Sequence, residues 1–462
     1  MDATTLLVVI TTLSLLGYVL GRQRSIKVAA NHGGQRKLHS LPKYYGYMVS
    51  LWTGLPALVL LVFWLIFEPG IINSMLLAEL PAEMSALSEN KLSLVMNDLQ
   101  LLAESGRIKA ETDPVKRSAA ETLVGLENRS QLVRNILIFS VALAGTIWSL
   151  SRIRVHTRAR VFVERIIRYL LILCSLVAIL TTIGIVLSVL FESLRFFKSV
   201  PLTDFMFGTK WSPQTAIRAD QIGSSGTFGA IPLFAGTLLI SAIALIIAVP
   251  TGLMSAIYLS EYASSSFRAF AKPLLEILAG IPTVVYGFFA ALTVAPFIRN
   301  LGETIGLDVA SESALATGIV MGIMIIPFVS SLSDDVISAV PKAMRDAAYG
   351  MGATQSETIR QVLIPAALPG IVGGILLAAS RAIGETMIVV MAAGLAANLT
   401  ANPLQAVTTV TVQIVTLLTG DQEFDSPKTL AAFALGLMLF ITTLVLNVIA
   451  LHIVRKYREQ YE

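Results

Sequence analysis

Runs of about twenty nearly uncharged residues recur along the chain with clusters of charge between them, the pattern of helices that cross a bilayer. Nine spans are predicted, at residues 4–20, 47–67, 135–150, 169–191, 231–257, 275–297, 313–333, 367–397 and 429–453. The third is short, about 24 Å at the helical rise, so it has to borrow neighbouring polar residues or stand untilted. Prolines and glycines recur at or near the spans, among them Pro250, Gly280, Pro282, Pro327, Pro369 and Gly373. They suit close helix packing and interrupted helices.

Composition agrees with this pattern. Of 462 residues, 55% are hydrophobic and 14% charged, against about 25% charged in soluble domains. The net charge of +4 reads as Lys and Arg retained on the cytoplasmic side, with no nucleic-acid partner implied. Residues 22–47 hold six Lys or Arg and no acid, and residues 151–168 hold six Arg against Glu164 alone. Both loops are assigned to the cytoplasm, so the N-terminus is outside. Nine spans then bring Arg455, Lys456 and Arg458 inside. Asp2 stands where a signal peptide carries its basic leader, so the first run reads as a span. Cys174 is the lone cysteine, and His32, His39, His156 and His452 are scattered, which supports neither a disulfide nor a metal site. No stretch reads GxxxxGK(S/T), so the chain is not expected to hydrolyse ATP.

The segments between spans differ in character. Residues 1–67 hold two spans and a basic loop. Residues 68–133 carry ten acidic and six basic residues, with Leu87, Leu92, Leu94, Leu99 and Leu102 at heptad-like spacing. An external helical cap is expected there, with disorder as the competing reading. Residues 134–168 are the third span and its basic loop. Residues 169–453 form the core and 454–462 a cytoplasmic tail. In the external loop 192–230, the glycine-rich run Gly223–Gly229 reads as a turn into the next span, since it lacks the ending of a phosphate-cradling loop.

Residues 334–366 are assigned to a cytoplasmic loop. Small residues at Ala347, Ala348, Gly350 and Gly352 admit a close partner surface, and Thr354–Gln361 is helix-forming, with Pro365 at the re-entry. Met351, Ile359 and Val362 are expected to be exposed, favouring a docking helix over a solvated loop. Arg381 and Glu385 fall in the following span, each costing roughly 2.5 to 3.5 kcal/mol to insert. Four residues apart, they share one helix face and can pair. Such a pair locks helices together, or it lines a substrate route where the guanidinium fork suits oxyanions. Glu276, Ser330, Ser331 and Ser333 are further candidates for the route or its rims, while Glu261 and Arg268 are placed in a short cytoplasmic loop.

Residues 346–365 read Asp-Ala-Ala, three residues, Gly, nine residues, Val-Leu-Ile-Pro. This resembles the EAA loop of binding-protein-dependent ABC importer permeases, with Asp346 for Glu, Val362 for Ile and Ile364 for Leu. Residues 228–241, 261–292 and 380–394 resemble the PstC/PstA family of phosphate importer permeases, and the likeness extends over about 165–455.

The resemblance implies an all-α polytopic membrane protein with a type I ABC importer permease core of six helices, plus three N-terminal transmembrane helices as in a longer subgroup. It implies a transport subunit, not an enzyme, with no cofactor in this chain. ATP and Mg belong to a dimer of PstB-like ATPase partners. A PstA-like second permease subunit, an external phosphate-binding protein and the bacterial inner membrane complete the assembly. By the same likeness, Asp346, Ala347, Ala348, Gly352, Ala353, Thr354, Glu357, Arg360 and Pro365 couple to the ATPase, and Arg381 and Glu385 line the path of phosphate. The alternatives are another oxyanion (molybdate, sulfate, phosphonate), an ion-coupled transporter or channel, or a phosphate-sensing scaffold whose working part is 68–133.

Overall fold

In lipid the backbone has only its own carbonyls to bond, so each apolar run should close on itself as a helix. The computed structural model describes residues 2–31, 34–79, 96–103, 114–215, 225–419 and 426–458. Among the described residues nine helices are long and apolar enough to cross a membrane. The chain divides into two units, Met1–Leu180 and Thr181–Glu462, with the division inside one helix.

The first unit is built on α1 (Ala3–Ala30), α2 (Pro42–Glu79), α3 (Pro114–Ser151) and the start of α4 (Ala159–Ser199). Leu6 and Ile10 of α1, Ala57 and Leu61 of α2 and Ile138 and Ala142 of α3 make one buried cluster. Tyr45, Met48 and Val49 make another with Ala29, Ile153, Ala159 and Val163. The short span expected at 135–150 is corrected: it is the last part of the 38-residue α3. Charges at Glu121, Glu127 and Arg129 end the hydropathy signal, but they are good helix formers and the helix continues through them.

Within 68–133, the described residues are helical: the end of α2, a short segment at 96–103 and the start of α3. Leu99 is buried against Ile72, Leu76 and Leu123, and Leu102 packs on their rim; Leu87, Leu92 and Leu94 lie outside the described residues. Glu68 and Arg134 form a largely buried ion pair at 3.1 Å between α2 and α3. Ser130 donates to the same carboxylate and accepts from Trp64 Nε1 at 3.1 Å.

The second unit adds α5 (Leu202–Phe207), strands β1 (Trp211–Thr215) and β2 (Ser225–Phe228), and α6 (Ile231–Ile257). The turn expected at Gly223–Gly229 is corrected for its described part, because 225–228 pairs antiparallel with β1, Trp211 opposite Phe228. The aromatic pair stabilises the ribbon, and Trp211 Nε1 ties it down by donating to Gln413 at 2.9 Å.

Next come α7 (Ser265–Gly280), α8 (Thr283–Phe289), α9 (Ala295–Thr304) and α10 (Ala314–Ala339). The span expected at 275–297 is therefore corrected: its first residues end α7, and the membrane span is Thr283–Thr304. Pro282 holds Ile281 extended, α7 ends there with no buried residue of its own, and the apolar run restarts at Thr283. Helices α11 (Lys342–Gly350), α12 (Gln355–Thr358), α13 (Ile364–Ile383), α14 (Met387–Ala392), α15 (Val410–Leu418) and α16 (Pro427–Arg458) complete the unit.

Its core joins Ile240, Ala244 and Ala248 of α6 to Met321, Ile325 and Val329 of α10, and to Ala378 and Ala382 of α13. Gly236 is required where α6 meets the chain before α15, since a Cβ would lie 2.1 Å from the Thr408 carbonyl oxygen.

Candidate functional site

Two features of the second unit carry the candidate residues. The first is the surface after α10. Here α10 runs six residues into the expected loop, to Ala339, so the loop proper starts at Val340. Asp346, Ala347 and Ala348 lie on α11, which ends at Gly350, and Gly352 takes φ +86, a conformation that suits glycine.

Thr354 opens the next helix with a capping box. Its hydroxyl accepts from the Glu357 N–H at 3.3 Å and the Glu357 carboxylate accepts from the Thr354 N–H at 2.8 Å. Backbone of π-helical pitch at Ile359–Leu363 then leads without a break into α13, with Pro365 in its first turn. Met351 is 90% exposed, while Gly352, Thr354, Glu357 and Arg360 are also exposed and Ala353 is half-buried.

The expectation that Ile359 is exposed is corrected. It is 5% exposed and packs with Ile337, Leu363, Ala367 and Ile371, so it fixes the surface to the core. Glu261, expected in the short cytoplasmic loop between spans, lies in the helical backbone Tyr258–Tyr262; its carboxylate meets Arg345 of α11 at 3.1 Å, and its carbonyl accepts from Gln355 at 2.6 Å.

The second feature is a cavity of about 260 Å³ lined by residues of α7, α10 and α13. Arg381, Glu276, Ser330 and Ser331, all singled out from the sequence, line it; Ser333 and Glu385 do not. Ser333 is buried in α10. Arg381 lies in the last turn of α13, its guanidinium carbon 5.8 Å from the centre of the Phe328 ring.

The shared helix face expected for Arg381 and Glu385 is not found. Gly384 ends α13, Glu385 lies beyond it, and no ion pair joins the two among the described residues. Glycine is a poor helix interior residue, so the helix stops where averaged hydropathy continues. The Glu385 carboxylate is occupied with the restart: Oε1 accepts from the N–H of Met387 at 3.1 Å and of Ile388 at 3.5 Å. Those are donors that the start of α14 leaves without intrahelical partners.

Three charged residues of this region were not assigned to a site from the sequence. Asp334, with its side chain 6% exposed, receives Arg268 at 2.8 Å and Lys272 at 2.9 Å from α7. Lys272 and Asp334 both line the cavity. The hydrogen bond to Asp334 holds the Lys272 ammonium above the ordinary lysine range, against a smaller opposing effect of burial. The available signal was the spacing: Arg268 and Lys272 are four apart on an amphipathic segment, and Asp334 and Asp335 end an apolar run.

Apolar membrane-length helices around a cavity with two cations, two carboxylates and two hydroxyls have the character of a solute permease. Comparison with known proteins agrees. A family model described as binding-protein-dependent transport system inner membrane component matches residues 248–459. One described as phosphate ATP-binding cassette transporter matches residues 7–181.

A probable ABC transporter permease protein YqgH of Bacillus subtilis is 30% identical over 59% of this chain and 85% of that protein. The phosphate transport system permease protein PstC of Mesorhizobium japonicum is 33% identical over 53% of this chain and 76% of that one. Its counterpart in Haemophilus influenzae is 34% identical over 52% and 78%. The solved bacterial transporter of the polysaccharide alginate aligns over 64% of this chain and 99% of its own, at 17% identity and a TM-score of 0.45. This chain belongs to the binding-protein-dependent transport permeases, in the family that includes the PstC proteins.

Proposed function

We propose that the chain is the membrane permease subunit of an ATP-driven importer that moves inorganic phosphate into the cytoplasm. The observation that carries the reading is the cavity in which Arg381 and Lys272 stand beside the hydroxyls of Ser330 and Ser331. These are oxyanion donors, and the acids sharing the cavity keep the contact transient. The names of the relatives support phosphate over other oxyanions.

In this reading Arg381 contacts the cargo, and Glu385 sets the helix break that presents it. Asp346, Ala347, Ala348, Gly352, Ala353, Thr354, Glu357, Arg360 and Pro365 form the face on which one of two PstB-like ATPases sits. ATP and Mg are bound there and not in this chain. A PstA-like subunit supplies the second wall of the pore, and an external binding protein delivers phosphate. The positive loops 22–47 and 151–168, together with the basic C-terminal residues, support an outside N-terminus and an inside C-terminus. The three N-terminal spans cross the bacterial inner membrane, and the acidic segment 68–133 lies on its outer side.

The test is uptake into vesicles carrying the whole complex, with phosphate set against molybdate and sulfate. Arg381→Ala abolishes phosphate uptake while the ATPase still co-purifies. Equal uptake of all the oxyanions would reject phosphate selectivity, and normal uptake by Arg381→Ala would reject the route.

A further inference from the structure

Lys272 stands apart from Arg381 in the sequence and on a different helix, yet both line one cavity. It is the less firmly held of the two cations on Asp334. Arg268 Nη2 reaches both carboxylate oxygens, Oδ1 at 2.8 Å and Oδ2 at 3.1 Å, whereas Lys272 reaches Oδ2 alone at 2.9 Å. Asp335 lies at 4.0 Å from the same ammonium and is exposed, so it adds little. Asp334 would keep a counter-ion if Lys272 let go.

That asymmetry matters in a nearly buried position. Removing the only cation from a buried carboxylate is costly, but removing one of two is not, because the other still satisfies the charge. A lysine also suits this task better than an arginine, being a compact charge on a flexible stem that can swing between partners. Glu276 and Arg381 complete the charged groups of the cavity, so an anion arriving at Arg381 finds one further cation within the same space.

We infer that Lys272 is a second anion station on the transport route, kept in reserve by Asp334 and released to the cargo by exchange of one negative partner for another. The inference rests on the phosphate reading above and adds a specificity-determining residue to it. Phosphate passes from the Arg381 fork to the Lys272 ammonium. Asp334 then reclaims the lysine and expels the anion, so the inner station cannot hold it tightly. Arg268 stays on Asp334 throughout and keeps α7 joined to α10.

The experiment uses the complete complex in vesicles, with binding protein and labelled inorganic phosphate. Lys272→Gln lowers uptake roughly ten- to hundredfold, the range for losing one charged hydrogen bond, with ATPase association and ATP hydrolysis retained. Lys272→Arg restores most of the uptake. Asp334→Asn removes the competing carboxylate, and inorganic phosphate on the inner side then inhibits uptake at a roughly tenfold lower concentration.

Arg381→Ala is measured alongside. If it transports normally, the phosphate route itself is wrong. If it is inert while Lys272→Gln transports at the unmodified rate, the second station alone is overturned. Loss of ATPase association in both lysine variants would make the Lys272–Asp334 contact purely structural. Unchanged inner-side inhibition in Asp334→Asn would remove the exchange.

Discussion

Glu261 and Arg345, more than eighty residues apart in sequence, meet at 3.1 Å with side chains 7% and 19% exposed. The pair joins the end of the α6 segment to α11, and Arg345 also donates to the Ile337 carbonyl of α10 at 2.8 Å. One guanidinium thereby ties α11 to two membrane helices.

Breaking that pair from either side leaves a charge stranded in a mostly enclosed place. Glu261→Ala should cost about 2 kcal/mol, below the range for fully buried pairs because Arg345 keeps some solvent. Thermal unfolding of the purified permease checks this. Uptake should fall further than stability does, with ATP hydrolysis continuing uncoupled. The double variant Glu261→Gln, Arg345→Met should regain most of the stability and little of the uptake.

Gly352 supplies a second prediction. Its φ of +86 disfavours any residue with a Cβ, by roughly 1–2 kcal/mol, although the space around it is open for 4 Å. Gly352→Val should therefore insert and fold, since nothing within the permease clashes, and lose ATPase co-purification. Gly352→Asn, which tolerates this backbone region, should keep part of it.

How much of this was legible in the sequence depended on the range of the forces involved. Spans α1, α6 and α16 could be read from hydropathy because each is one apolar run. The break at Gly384 was not legible. A window of twenty residues averages a single glycine away, and the carboxylate that caps the restart lies only two residues before Met387.

Ile359 failed for a different reason. On a short helix its apolar side chain fits an exposed docking ridge as well as a buried seam, and only the packing of Ile337 and Ile371 against it decides. The ion pairs on Asp334 bridge more than sixty residues, so local pattern supplied their partners without joining them.

Glu385 separates a structural from an electrostatic role. Its carboxylate accepts from two N–H groups at the start of α14, so Glu385→Ala should cost about 1 kcal/mol, as for loss of an N-terminal cap. Glu385→Gln keeps a carbonyl acceptor in the same place and should leave the melting temperature unchanged. If Glu385 serves only to hold the break, the Gln variant transports at a rate near the unmodified protein. A large loss of uptake at unchanged stability would mean that its negative charge acts on the cargo directly.

The first unit offers a measure of a buried charge pair, because Glu68 and Arg134 are 14% and 6% exposed in their side chains. Arg134→Met removes the cation and strands Glu68, whose carboxylate keeps the Ser130 hydroxyl as a donor. The single change should cost about 3 kcal/mol. Adding Glu68→Leu removes the stranded carboxylate and replaces the pair by apolar contact, which is often neutral or favourable at such sites. The double variant should therefore be more stable than Arg134→Met, as read by unfolding of the first unit's Trp64 fluorescence. If the two changes instead add, the carboxylate is not stranded when Arg134 is gone, and the pair contributes no coupling between α2 and α3.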